Sequence, residues 1–218
     1  MCHFMKTQMF ILLAFFFTGS YAQVIYDKAV EQQYQQSYDS LPIELKEKAK
    51  EAIADTSFRG GIVVLTNYQI DTLNKNELTM DISSSHNTKK DYYLSFCMGL
   101  IKSDTLFIEL GTQFFSQSIQ HVIFKNSVIT NHNQFRDNES IFRADSAAKK
   151  TNDLTIPAEA IKFVLSDSSF SKDKAIYGYA EIVTKSYFQD SDGFRNGYIL
   201  KQLRYKYYFE FKPTKNGT

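Results

Sequence analysis

Apolar and polar positions divide this chain into three stretches with different periods. Met9 to Phe17 (MFILLAFFF) is an unbroken apolar run. Between Asp27 and Asp55 the apolar residues are sparse and fall at helical spacing. From Gly61 onward short apolar runs alternate with polar residues at the period of two expected of half-buried strands.

The helical stretch is broken by Ser40-Leu41-Pro42, since proline fits the first turn of a new helix, where its missing N–H costs nothing. In the second piece Leu45, Ala49, Ala52 and Ile53 share one face. The first piece is polar apart from Val30, Tyr34 and Tyr38, and is expected to pack weakly or stay mobile. Gly60-Gly61 ends the region.

Strand patterns follow at Ile62 to Leu65, Glu77 to Ile82, Tyr92 to Ile101, Thr105 to Leu110, Ile119 to Phe124, Val128 to Thr130, Ile141-Phe142, Ile161 to Leu165 and Ala175 to Tyr187. Lys102-Ser103-Asp104 and Asn126-Ser127 read as turns, and Asp145 to Asp153 as a polar loop. The last strand is the clearest: Leu203, Tyr205, Tyr207, Phe209 and Phe211 share one parity, with Arg204, Lys206, Glu210 and Lys212 on the other. It is expected to pair with Ala175 to Tyr187 across Asp190-Ser191-Asp192-Gly193.

The pattern predicts a mainly β fold. The expected architecture is an antiparallel β-sandwich or strongly bent β-sheet with a short N-terminal helical segment, a closed β-barrel being the alternative. A membrane-embedded barrel is a further option, against which the N-terminal helices and the charges on most strands both argue. The expected division is a leader over 1–22, a helical segment over 23–60 and an antiparallel β domain over 61–218.

The leader reading comes from order. Lys6 precedes the apolar run, and Ser20-Tyr21-Ala22 follows it with small residues where a signal peptidase reads, so cleavage is expected between Ala22 and Gln23. A spanning helix needs roughly 20 apolar residues, and this run is about half that. The mature protein is thus expected to be secreted or periplasmic, with no transmembrane anchor.

The whole chain carries 25 Lys+Arg and 24 Asp+Glu. Lys6 is the only charged residue in the leader, so 25 − 1 = 24 basic residues balance 24 acidic ones after cleavage. That balance excludes the basic footprint of a nucleic-acid binder. Cys2 leaves with the leader, so no intrachain disulfide is available, and Cys97, inside Tyr92-Tyr93-Leu94-Ser95-Phe96-Cys97-Met98, reads as a buried, inert strand residue.

Candidate chemistry is thin. If Asn126-Ser127 is a two-residue turn, His121 lies directly across from His132, on a face shared with Ile123, Lys125 and Thr130, while Val122, Phe124 and Ile129 point to the core. Two imidazoles so placed could ligate zinc with a carboxylate from elsewhere, or act as a proton-sensitive pair; the plain alternative is two solvated sheet histidines. Asp190-Ser191-Asp192-Gly193 has some of the acidic character of a calcium loop, but Ile199 stands where the closing Glu belongs, so a β-turn is the simpler reading. No GxSxG elbow or phosphate-cradling glycine loop occurs, and His86, in Ser83-Ser84-Ser85-His86-Asn87, reads as a loop residue. Tyr177, Tyr179, Tyr205, Tyr207 and Tyr208 could form a binding surface on the outer face, or simply reflect the preference of tyrosine for sheets. Asn138-Glu139-Ser140 and Asn216-Gly217-Thr218 match the glycosylation pattern.

The expected function is that of a non-catalytic exported binding or cell-envelope structural module whose partner is a protein, a glycan or a small ligand. The alternative is an exported metal-dependent enzyme or hydrolase using His121 and His132. No cofactor is expected, zinc and calcium being the metals these residues would suit.

Overall fold

The computed structural model describes residues 21–54, 61–76, 82–89, 94–111, 117–137, 139–171, 174–190 and 197–215. The expected leader through Ser20, residues 191–193 of the expected acidic turn, Asn138, residues 77–81 and the Asn216-Gly217-Thr218 motif lie outside them. Ala22 and Gln23, the expected cleavage pair, form strand β1.

The chain is mainly β, with two short helices near its N-terminus. After β1 come β2 (Ile25–Tyr26), α1 (Ala29–Asp39), α2 (Ile43–Ala54), β3 (Gly61–Asn76), β4 (Ile82–Lys89), β5 (Leu94–Lys102), β6 (Thr105–Gly111), β7 (Gln117–Phe124) and β8 (Ser127–Phe135). The rest comprises β9 (Phe142–Arg143), β10 (Asp153–Leu165), β11 (Ile176–Thr184), β12 (Tyr187–Asp190), β13 (Gly197–Phe211) and β14 (Pro213–Lys215). The helix break at Ser40 to Pro42 stands where the sequence puts it. His86 does not lie in a loop: it belongs to β4, paired with Asp71 of β3.

All the strands form one large mixed sheet, bent strongly on itself. Its path runs β4-β3-β5-β6-β7-β8-β10-β11-β13-β12-β9, and the end strands β4 and β9 do not pair, so the sheet as a whole is not closed. Within it the long strands β3 and β13 also pair, from Val63↔Phe209 to Asn76↔Gly197, which brings the run from β3 through β13 full circle. β13 pairs with β11 and β12 as expected, and β2–β10 and β14–β5 supply the parallel contacts.

Alternation decides what the bend encloses. Leu106, Ile108 and Leu110 of β6 face inward, with Tyr205, Tyr207, Phe209 and Phe211 of β13. In β10 Leu154, Ile156, Ala158 and Ala160 point in; a bulge at the exposed Ile161 then shifts the phase, so that Phe163 and Leu165 also reach the core. Each large apolar side chain buried this way contributes about 1.5–3 kcal/mol. Outside run charged residues such as Glu181 and Lys206, a directly opposed pair bridged at 3.0 Å. Apolar inside and charged outside is the reverse of a membrane barrel. No described helix is long and apolar enough to cross a membrane.

The N-terminal segment joins the sheet, with Val24 reaching the core, and then covers its outer face. β1 pairs with β8, β2 with β10, and α1 lies over β11 and β13. Contrary to the weak packing expected of α1, Val30 and Tyr34 are both 2% exposed. The reason is the surface beneath: Tyr34 packs with Tyr177 and Tyr208, its ring 5.3 Å from that of Tyr177.

Candidate functional site

The β7–β8 hairpin turns one residue earlier than its asparagine suggests. Phe124 pairs with Ser127, leaving Lys125-Asn126 as the turn, and Lys125 takes left-handed backbone with φ 56. His121 therefore opposes Thr130, and His132 opposes Ile119. The histidines still share a face, as diagonal rather than direct neighbours, but that face is the core. His121 is 0% exposed and His132 1%, whereas Phe124 of the other face is 49% exposed. The assignment of Val122, Phe124 and Ile129 to the core, and of the histidines to a mixed surface, is thus reversed.

The inversion has a local cause. Directly opposed residues share a face, and β6 sets Leu106 against Ile123, Ile108 against His121 and Leu110 against Ile119. Three strongly apolar β6 residues carry the histidine side inward with them.

His121 is fully bonded there. Its Nδ1 lies 2.7 Å from Thr130 Oγ1 and its Nε2 2.6 Å from the Tyr207 hydroxyl. A neutral imidazole donates from one nitrogen and accepts at the other, and two hydroxyls can complete both bonds. Phe163 meets the ring edge-on at 4.7 Å. Burial lowers the pKa of His121 from 6.5 to about 3 and that of His132 to about 4, because neither site can solvate an imidazolium. His132 Nε2 meets the Gln134 side-chain amide at 2.5 Å, and its ring lies 5.6 Å from Tyr205. Among the described residues no group of three His, Cys, Asp or Glu could hold a metal ion. Cys97 is buried and free, with its thiol pKa pushed well up by burial.

The tyrosine set divides between the two faces. Tyr205 and Tyr207 point into the core at 6% and 1% exposure, because they share the inward parity of β13. Tyr177, Tyr179 and Tyr208 face outward. Tyr179 and Tyr208 are directly opposed with rings 4.9 Å apart, and α1 packs over Tyr177 and Tyr208. Burial, reinforced by the Glu210 carboxylate to which its hydroxyl donates, holds the Tyr34 pKa well above the ordinary phenol value. Most of this surface is occupied by the protein's own helix. Asp190, expected in a β-turn, ends β12 and pairs with Lys150 at 2.5 Å and Arg143 at 3.8 Å.

A cavity of about 300 Å³ opens at one end of the bent sheet. Its position follows from strand parity. The inward series Ile119-His121-Ile123 of β7 ends in Gln117; Val128-Thr130-His132 of β8 ends in Gln134; the β13 series from Phe211 back to Leu203 ends in Lys201. Gln117 and Gln134 are directly opposed. The enclosed face thus turns from apolar to polar at one end. Phe142 and Tyr187, with rings 6.4 Å apart and each 2% exposed, back the cavity from within the core, and Phe135 also lines it. Arg136 and Gln189 complete the polar lining, with Gln189 Oε1 accepting from Lys201 Nζ at 2.8 Å. No local motif announces these residues, which come from four strands and the end of β8. Their one trace in the sequence is a polar residue at the inward parity beyond each apolar series.

Neither the family models nor the curated proteins compared with the chain give a match.

Proposed function

We propose that this chain is an exported, non-catalytic binding module that takes a small polar ligand in the cavity between β7, β8, β12 and β13. The carrying observation is the cavity itself: a polar recess in which carboxamides and cations from several strands converge, with a volume at the lower end of the usual ~300–1,000 Å³ range of small-ligand sites. The order of Lys6, apolar run and small-residue cleavage pattern supports export to a secreted or periplasmic location. The metal-dependent alternative has less support, because both His121 nitrogens are hydrogen-bonded and both imidazoles are sealed in the core.

Gln189→Trp tests the reading, because Gln189 lines the cavity and a bulkier side chain there would fill it. A fragment library screened by ligand-observed NMR is expected to yield binders to the wild type that lose about tenfold or more in affinity to the variant. Its denaturation midpoint should shift little. Binders that keep full affinity for the variant and shift the amides of Tyr177 and Tyr208 would move the site to the tyrosine face.

A further inference from the structure

We infer that the outer face of β5 to β8 is the interface of a symmetric dimer, its occupant being the same face of a second copy of this chain; this is independent of the cavity reading. The strand register carries it. On the outside of the sheet Leu100 is opposed to Phe107, Phe107 to Val122 and Val122 to Ile129, an unbroken apolar row across four strands. All four are half-buried, and Met98 and Phe124 beside the row are 40% and 49% exposed. Elsewhere the outer face carries charged pairs such as Glu181 and Lys206. The inner face of these strands is apolar as well, through Leu106, Ile108 and Ile123. An antiparallel sheet with one solvated face alternates apolar with polar residues, whereas strands apolar on both faces belong to sheets covered on both. Among the described helices α1 makes its main contacts with β11, β13 and β3, not with these strands. A contiguous exposed apolar patch of this kind marks a protein contact. Four strands at about 4.8 Å spacing make the row roughly 15 Å wide, the scale of an interface core inside a polar rim.

The charges beside the row select a second copy as the occupant. On one flank the opposed residues run Lys102, Thr105, Phe124 and Ser127; on the other they run Met98, Glu109, Gln120 and Asn131. Each flank therefore holds a single charge, cationic on one and acidic on the other. A two-fold axis along the row lays apolar residues on apolar residues. It also turns the Lys102 flank of each copy over the Glu109 flank of the other, so the face is complementary to itself, as an isologous interface requires. Rim pairs of this kind add little affinity but fix the register. A bilayer would instead strip water from Glu109 and give it no partner.

The test is sedimentation equilibrium of the purified protein, with urea denaturation of every variant to establish that it folds. The wild type is expected to dimerise reversibly. Val122→Lys, at the centre of the row, and the more exposed Phe124→Ser should each raise the dimer dissociation constant by about tenfold or more. Lys102→Glu and Glu109→Lys each set like charges together and should each weaken the dimer about fivefold, while the two combined should return it to within about twofold of wild type. These two exchanges lie on the surface and keep the inference testable if Val122→Lys does not fold. A protein that stays monomeric up to about 1 mM would overturn the inference. Binding of that monomer to phosphatidylglycerol vesicles would then assign the face to a lipid surface. A dimer that neither Val122→Lys nor Phe124→Ser weakens is joined elsewhere, which also overturns it. A dimer that both weaken, but that is indifferent to the charge exchanges, would overturn the two-fold arrangement.

Discussion

Acidifying the protein from pH 6.5 to about pH 5 is expected to lower its unfolding free energy by about 3 kcal/mol through His121 and His132 alone. Both are bases whose folded pKa is depressed, from 6.5 to about 3 and about 4. Above 6.5 neither state binds the proton and nothing is lost. As pH falls through 6.5 the unfolded chain takes up protons that the folded core refuses, so stability falls. The loss for each group levels off only below its folded pKa. The slope for each histidine is about half its limit at pH 6.5 and approaches about 1.4 kcal/mol per pH unit below pH 6. Asp167, held low by Lys174 and Ser169, would add a loss only below its ordinary value of 3.8, outside the window. Urea denaturation at a series of pH values measures the slope, and His132→Gln should roughly halve it. A flat profile between pH 7 and pH 5 would mean that the two imidazoles are solvated.

The second large effect concerns glycines that make room for aromatic rings. Gly178 is directly opposed to Phe209, and a Cβ added at Gly178 would sit 2.1 Å from the Phe209 ring. A Cβ added at Gly99, which pairs with Ile108 and Pro213, would likewise sit 2.2 Å from the Phe211 ring. Phe209 and Phe211 are 0% exposed, so neither ring has solvent to move into. Phe209→Ala is expected to cost about 3–5 kcal/mol through the cavity it leaves. Gly178→Ala is expected to cost about 1–3 kcal/mol through overpacking. The two are coupled: with leucine at position 209 the Gly178→Ala cost should shrink, giving an interaction of about 0.5–3 kcal/mol in a double-mutant cycle. Strictly additive free energies from chemical denaturation would show that Phe209 does not occupy the space over Gly178.

What the sequence revealed depended on how many residues voted for a face. β13 was legible because five aromatic or aliphatic residues share one parity, and the bent-sheet architecture followed from many such strands. In β7 and β8 the parity was legible but its direction was not. Val122, Phe124 and Ile129 look more apolar than His121, Thr130 and His132. The decision lay in the neighbouring β6, whose Leu106, Ile108 and Leu110 pair across to the histidine side. Extending the register one strand further would have exposed it.

The turn was misplaced because Lys125, not asparagine, takes the left-handed backbone, against the usual residue preference. Helix α1 was underrated because Val30 and Tyr34 are few, and their burial depends on tyrosines more than a hundred residues away. The cavity residues were missed because single glutamines at strand ends resemble ordinary surface positions. Only the shared inward parity of Gln117, Gln134 and Lys201, at one end of three strands, marks them.

Every functional statement here rests on which side of the β7–β8 hairpin is inside, and the imidazole rings report that side directly. The decisive measurement is an NMR titration of the histidine ring signals from about pH 8 to about pH 5, followed by zinc at the upper pH. His121 and His132 are expected to remain neutral throughout and to ignore the metal. An ordinary titration of either ring near 6.5, or a shift of both on adding zinc, would place the pair on an open face and contradict the account.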